Sequence, residues 1–287
     1  MGTSSSSSGP KGQTPLLPSW ATGNNNKPSQ GQDQNSNSNG DTTKGGDSKK
    51  SSNQNTAAES NNQYYSLTTV KGSLKRIVNK RKGASFKSAG KSYVRKTGGH
   101  RSATLSSAMG VITGSNYLGF FSGAAKDGLE QTLRNFDLSN CIGKSTEEAF
   151  AKIANKIAPK GSTNDEAIAR AAVMIAFDKV YEKFIENDKD INSLDHLDEE
   201  TLGEIVIEFV SAYIFGKWVY EAGLALERND LSESQVIDLE NEMRVFVTGE
   251  VKSGLEKVDI LSLDITAGEG HKVIEDIFDL AYSTLEK

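Results

Sequence analysis

Residues 205–226 read IVIEFVSAYIFGKWVYEAGLAL, twenty-two positions in which only Glu208, Lys217 and Glu221 are charged. A helix that is apolar on nearly all sides belongs in the middle of a bundle, with neighbours covering every face. The three charges, and Glu204 just upstream, argue against reading it as a membrane span. The helix is predicted to run from about Asp198 to Arg228. Its surroundings have the same periodicity. Ser145-Thr146-Glu147-Glu148 is a capping box that opens a helix ended by Pro159 near Ala158. Thr163-Asn164-Asp165-Glu166 caps another, with Ile168, Ala172, Ile175, Ala176, Val180 and Phe184 as its apolar stripe. Further helices fit about Ser232–Lys257 and Gly268–Glu286. Strand alternation is absent. The expected fold class is therefore all-α: a C-terminal helical bundle preceded by a basic helical segment and a long disordered N-terminal tail.

Charge divides the chain in the same places. Residues 60–126 hold 12 basic and no acidic residues, whereas 127–287 hold 16 basic against 34 acidic, a net −18. The overall −5 describes neither part. Three regions are expected: a low-complexity tail at 1–66, a basic amphipathic segment at 67–101 and an all-α domain at 102–287.

The acidic domain gives little sign of catalysis. Its carboxylates follow exposed helix faces, where solvation explains them. Glu204 and Glu208 are one turn apart, the spacing at which two carboxylates share a metal. A di-metal bundle also needs Glu-x-x-His pairs, but Ser193 and Gly268 stand three residues before His196 and His271. No metal site, no cofactor and no enzymatic activity are expected. Cys141 is the only cysteine, which excludes an internal disulfide and suits a buried small apolar residue. His196 and His271 are expected at the surface.

In the basic segment, Val70, Leu74, Ile77 and Val78 recur at helical spacing among Lys71, Lys75, Arg76, Lys80, Arg81 and Lys82. A second amphipathic stretch has Ala89, Tyr93 and Val94 with Lys91, Arg95 and Lys96. These cations are candidate nucleic-acid contacts. An acidic partner face, or the acidic domain of the same chain, satisfies the same charge pattern, and composition does not separate the three. Gly90-Lys91-Ser92 and Gly143-Lys144-Ser145 are not phosphate-binding loops, because Ser85 and Leu138 occupy the first glycine position of that motif. Residues 102–125 are uncharged and contain GVITG and GFFSG, yet eight Ser, Thr and Asn residues make them too polar to span a bilayer. Close packing of a small-residue helix against the bundle is expected instead.

The first 66 residues are Ser, Thr, Asn, Gln or Gly at 44 positions, and no aliphatic or aromatic residue lies between Ala21 and Ala57. Such a segment does not offset the roughly 1–2 kcal/mol per residue that ordering a backbone costs. Pro15, Leu16, Leu17, Pro18 and Trp20 are its exception: prolines bias the chain toward an extended path, and Leu and Trp are anchors for a groove. At the extreme end, removal of Met1 would leave the α-amine of Gly2, with a pKa around 7.7–8.0, as an accessible nucleophile. Met1-Gly2-Thr3-Ser4-Ser5-Ser6 also fits the myristoylation pattern, though a serine tract meets it almost automatically. No secretory signal is present, and a cytoplasmic setting with no membrane contact is expected.

The opening MGTSSSSSGP and TPLLPSW, the basic middle, and above all residues 118–173 (LGFFSGAAKDGLEQTLRNFDLSNCIGKSTEEAFAKIANKIAPKGSTNDEAIARAAV) resemble the QatB family of the bacterial Qat anti-phage defence system. The resemblance implies three partners: an ATPase (QatA), a QueC-like protein (QatC) and a TatD-like DNase (QatD). It implies that Gly2 is modified with a deazaguanine by the QueC-like partner, with Thr3 and the Pro15–Trp20 segment presenting it. On this reading the chain is a non-enzymatic subunit that binds the QueC-like partner. A nucleic-acid-binding adaptor using residues 71–101 is the alternative, and a lipidated adaptor using Gly2 is a third.

Overall fold

The computed structural model describes residues 67–185, 191–226, 232–255 and 270–287. The expected disordered tail, with Gly2, Thr3, Pro15, Leu16, Leu17, Pro18 and Trp20, lies outside the described residues. Those described form ten α-helices and no strand: α1 (Leu67–Val78), α2 (Phe86–Lys96), α3 (His100–Leu105), α4 (Ala108–Asp127), α5 (Leu129–Asn135), α6 (Thr146–Ile157), α7 (Asn164–Ile185), α8 (Glu199–Leu226), α9 (Glu233–Leu255) and α10 (Gly270–Glu286). Short 3₁₀ turns occupy Ser139–Cys141 and Ile191–His196. The all-α expectation holds.

The start signals in the sequence act as read. Thr163 Oγ1 accepts the Glu166 amide at 3.2 Å, and Glu166 Oε2 accepts the Thr163 and Ser162 amides in return, so α7 has a full capping box. Ser232 and Gln235 make the same reciprocal pair before α9. On α6 only half of the box forms. Ser145 Oγ caps the Glu148 amide, but the Glu148 carboxylate turns away to Lys152 and Lys144. Asp198 caps α8 through the Thr201 amide at 2.8 Å. Helix ends use the left-handed residue of a Schellman turn. Gly98 supplies it after α2, with φ +96°. Lys80 after α1 and Asp137 after α5 supply it with φ 48° and 58°, although neither is glycine.

α8 lies at the centre, against α4, α7, α9 and α1, and buries Val206, Phe209, Val210, Tyr213, Ile214 and Trp218 completely. α4 crosses it closely because glycines stand where the aromatic rings come in. A Cβ on Gly110 would lie 2.6 Å from the Tyr213 ring, and one on Gly114 would lie 2.8 Å from Phe209. The small-residue helix thus packs as expected. Among the described residues no helix is long and apolar enough to cross a membrane.

α7 differs from the narrow stripe read in its sequence. Ala169, Val173, Met174 and Phe177 are buried beside Ala172, Ala176 and Val180, because α7 faces both α4 and α8. The side chain of Phe184 is outside the described residues. Cys141 is buried, and burial pushes its thiol pKa up. His271 is exposed on the first turn of α10, while the His196 side chain is outside the described residues.

Candidate functional site

The basic segment is built as a helical hairpin. α1 ends in the Lys80 turn, Gly83 with φ +81° reverses the chain, and Ser85 Oγ caps α2 by accepting the Ser88 amide. The hairpin is anchored on its apolar side. Tyr93 stacks on Trp218 with ring centroids 5.5 Å apart, and the Tyr93, Ala89 and Val94 side chains are buried. Gly90 lies against Phe246, Trp218 and Leu285, so α2 fills a trough walled by α8, α9 and α10. Leu74 of α1 joins the same core.

This anchoring sorts the candidate cations into two sets. On the inward side, Lys96 pairs with Glu221 of α8 at 2.5 Å and Lys91 donates to the Lys287 main-chain oxygen at 3.3 Å. Here the basic segment does neutralise its own acidic domain. Arg95 is exposed on the same helix. On the outward side, Lys75, Arg76, Lys80, Arg81 and Lys82 are exposed around the hairpin turn, with no acidic partner among the described residues. Lys87, in the first turn of α2, is exposed beside them and belongs to the same corner. It was missed in the sequence because it sits between the two amphipathic stretches, though its place on the flank of the α2 apolar face was available as a signal. Lys71 lies on α1, and its side chain is outside the described residues.

Two further polar groups hold the helices in place. His100 Nδ1 lies 2.9 Å from Asp279, and Glu286 accepts the His100 amide, which ties the start of α3 to α10. Beneath it, Lys217 is nearly buried, reaching Ser106 main-chain oxygen and lying 3.4 Å from Asp165. Asp165 also accepts the Tyr213 hydroxyl at 2.6 Å. Burial pushes the Tyr213 hydroxyl pKa far above its ordinary range, and the neighbouring Asp165 carboxylate adds to the shift. These groups pair with one another rather than facing a cleft, which suits joining α4, α7 and α8. Glu204 is paired with Lys183, and Glu208 is half-buried on α8 with its carboxyl held above the usual range by desolvation.

Residues 98–285 match the family QatB, described as Qat anti-phage system associated protein. The chain belongs to that family. The match spans α3 to α10, short of only the last residue of α10, and leaves α1, α2 and the tail outside. Membership makes the chain a component of the Qat anti-phage defence system and implies other components of that system as its partners. Neither the curated proteins nor the solved structures compared with the chain gave a match.

Proposed function

We propose that the chain is a non-enzymatic, cytoplasmic subunit of the defence complex, whose helical domain binds the QueC-like partner and whose tail presents Gly2 to it. The observation that carries this reading is the anchored hairpin. Tyr93 locked on Trp218 makes α2 a fixed post for the residues before it, so the tail begins from a rigid body rather than from a loose linker. From Trp20 to Leu67 is 47 residues, with a flexible-coil reach of about 35–40 Å. A tether of that length keeps Gly2 near a bound partner's active site at high local concentration.

In the modification, the Gly2 nitrogen would attack an activated carboxyl carbon of a carboxy-deazaguanine. An amide bond forms, the activating group leaves and the amine loses a proton. Thr3 and the Pro15–Trp20 segment would seat the tail. Mass spectrometry of the intact chain and its N-terminal peptide, after co-expression with the QueC-like partner, tests it. A deazaguanine-sized adduct on Gly2, absent from Gly2→Pro, supports the reading. An unmodified Gly2 in a defence-competent complex overturns it.

A second reading rests on the outward corner. Six exposed cations with no acidic partner among the described residues suit a nucleic-acid backbone, whereas Lys91 and Lys96 are already engaged within the chain. Neutralising Lys75, Arg76, Lys80, Arg81 and Lys82 should weaken DNA binding uniformly across sequences. It should also flatten the salt dependence by up to about 0.9 log units of affinity per log unit of salt for each lost phosphate contact. Absence of binding at low salt removes this reading.

A further inference from the structure

A cleft of about 260 Å³ opens between the end of α1 and the first half of α9. Ile77, Val78 and Leu239 give it an apolar floor, and Lys80, Asp238 and Glu242 stand around it. Leu239 is only 4% exposed, yet it lies outside the contiguous core that Met243, Val247 and Val251 of the same helix join. Part-buried Ile77 packs against that core, whereas Leu239 and part-buried Val78 line the cleft without joining it.

Chain length limits what can fill it from within. The cleft is at the far end of α1, about 15–18 Å from Leu67 at the helical rise of 1.5 Å per residue. Tyr64 and Tyr65 are two or three residues from Leu67 and reach at most about 10 Å. The next large apolar side chains toward the N-terminus are Trp20, Leu17 and Leu16, whose 47-residue tether reaches about 35–40 Å. The segment from Pro10 to Trp20 carries one charge, Lys11, and the rim of Lys80, Asp238 and Glu242 has one carboxylate in excess to meet it.

We infer that the cleft between α1 and α9 is a docking site for the chain's own Leu16–Trp20 segment. The tether supplies an effective concentration of about a millimolar, so even a weak contact is well populated. A partner that takes the Pro15–Trp20 segment must then displace it from the cleft, which makes tail release a step that precedes presentation. The inference stands independently of any modification at Gly2, because it concerns the chain alone.

The test uses the full chain without partners. A photo-crosslinking residue replacing Trp20 should join, within one chain, to peptides from the end of α1 and the start of α9. Separately, a labelled peptide of residues 10–22 should bind a Leu16→Ala, Leu17→Ala, Trp20→Ala chain at least tenfold more tightly than the unaltered chain, whose own segment competes. Val78→Glu, at a part-buried position lining the cleft, should abolish both signals in a chain whose circular dichroism shows the bundle still folded. Crosslinks scattered over the surface, crosslinks between chains that grow with concentration, or equal peptide affinity for the two chains would each overturn the inference.

Discussion

Replacing Gly110 by alanine adds one methyl group and asks the bundle for about 1 Å. The new Cβ would lie 2.6 Å from two atoms of the Tyr213 ring, against ordinary contact beyond about 3.4 Å. The ring is not free to move, because Tyr213 is fully buried and its hydroxyl is tied to Asp165 at 2.6 Å. Overpacking of this kind costs about 1–3 kcal/mol. If the ring yields, loss of a hydrogen bond to a charged group adds about 1–3 kcal/mol. Against this stands a helix-propensity gain of at most about 1 kcal/mol, smaller in the first turn. The net expectation is a loss of about 2–4 kcal/mol. For a folded part of this size that lowers Tm by about 5–15 °C. Gly119 on the same helix has open space where its Cβ would go, so Gly119→Ala should raise Tm by about 2–4 °C. Thermal unfolding of the full chain followed by circular dichroism at 222 nm reads both. A Gly110→Ala chain that melts at or above the parent, or two variants that move together, would refute the close crossing of α4 and α8.

Three other perturbations follow from the same packing. Because burial holds the Glu208 carboxyl above the usual range, the folded chain takes up that proton more readily than the unfolded one. The ionised form therefore costs stability at neutral pH. Glu208→Gln should raise Tm at pH 7, and the difference should shrink as pH falls toward about 4, where the unfolded carboxyl also protonates. Lys80→Gly removes a side chain from a left-handed position and should stabilise by about 0.5–1 kcal/mol in denaturant titrations, despite the extra freedom of the unfolded chain. Lys217→Met strips the cation from a half-buried Asp165 and should cost about 2–3 kcal/mol, with Asp165→Asn in the same chain recovering part of it in a double-mutant cycle.

The fold was legible in the sequence where a local signal has a local cause. The S/T-x-x-E boxes at Ser145 and Thr163 and the break at Pro159 place helix ends because capping is settled within one turn. The buried character of residues 205–226 follows from the absence of any polar face. What depended on tertiary partners was less visible. α7 reads as a stripe because periodicity counts one face, whereas the helix packs against both α4 and α8 and so also buries Ala169, Val173, Met174 and Phe177. The His100–Asp279 and Lys217–Asp165 pairs join residues 179 and 52 positions apart, separations no pattern in the sequence spans. In the candidate site, composition located the basic segment. Only geometry separated Lys91 and Lys96, engaged within the chain, from the outward corner that includes Lys87.

The Tyr93–Trp218 stack also says where the protein may safely be cut. The family match starts at Gly98, yet the indole of Trp218, the Phe246 ring and the Leu285 side chain find their cover upstream of that point, in α2. A fragment trimmed to the shared region would turn an interior wall into an adhesive face prone to self-association. A piece that keeps this cover together with α1 begins at Leu67, so the boundary of the family match and the boundary drawn by packing differ by some thirty residues.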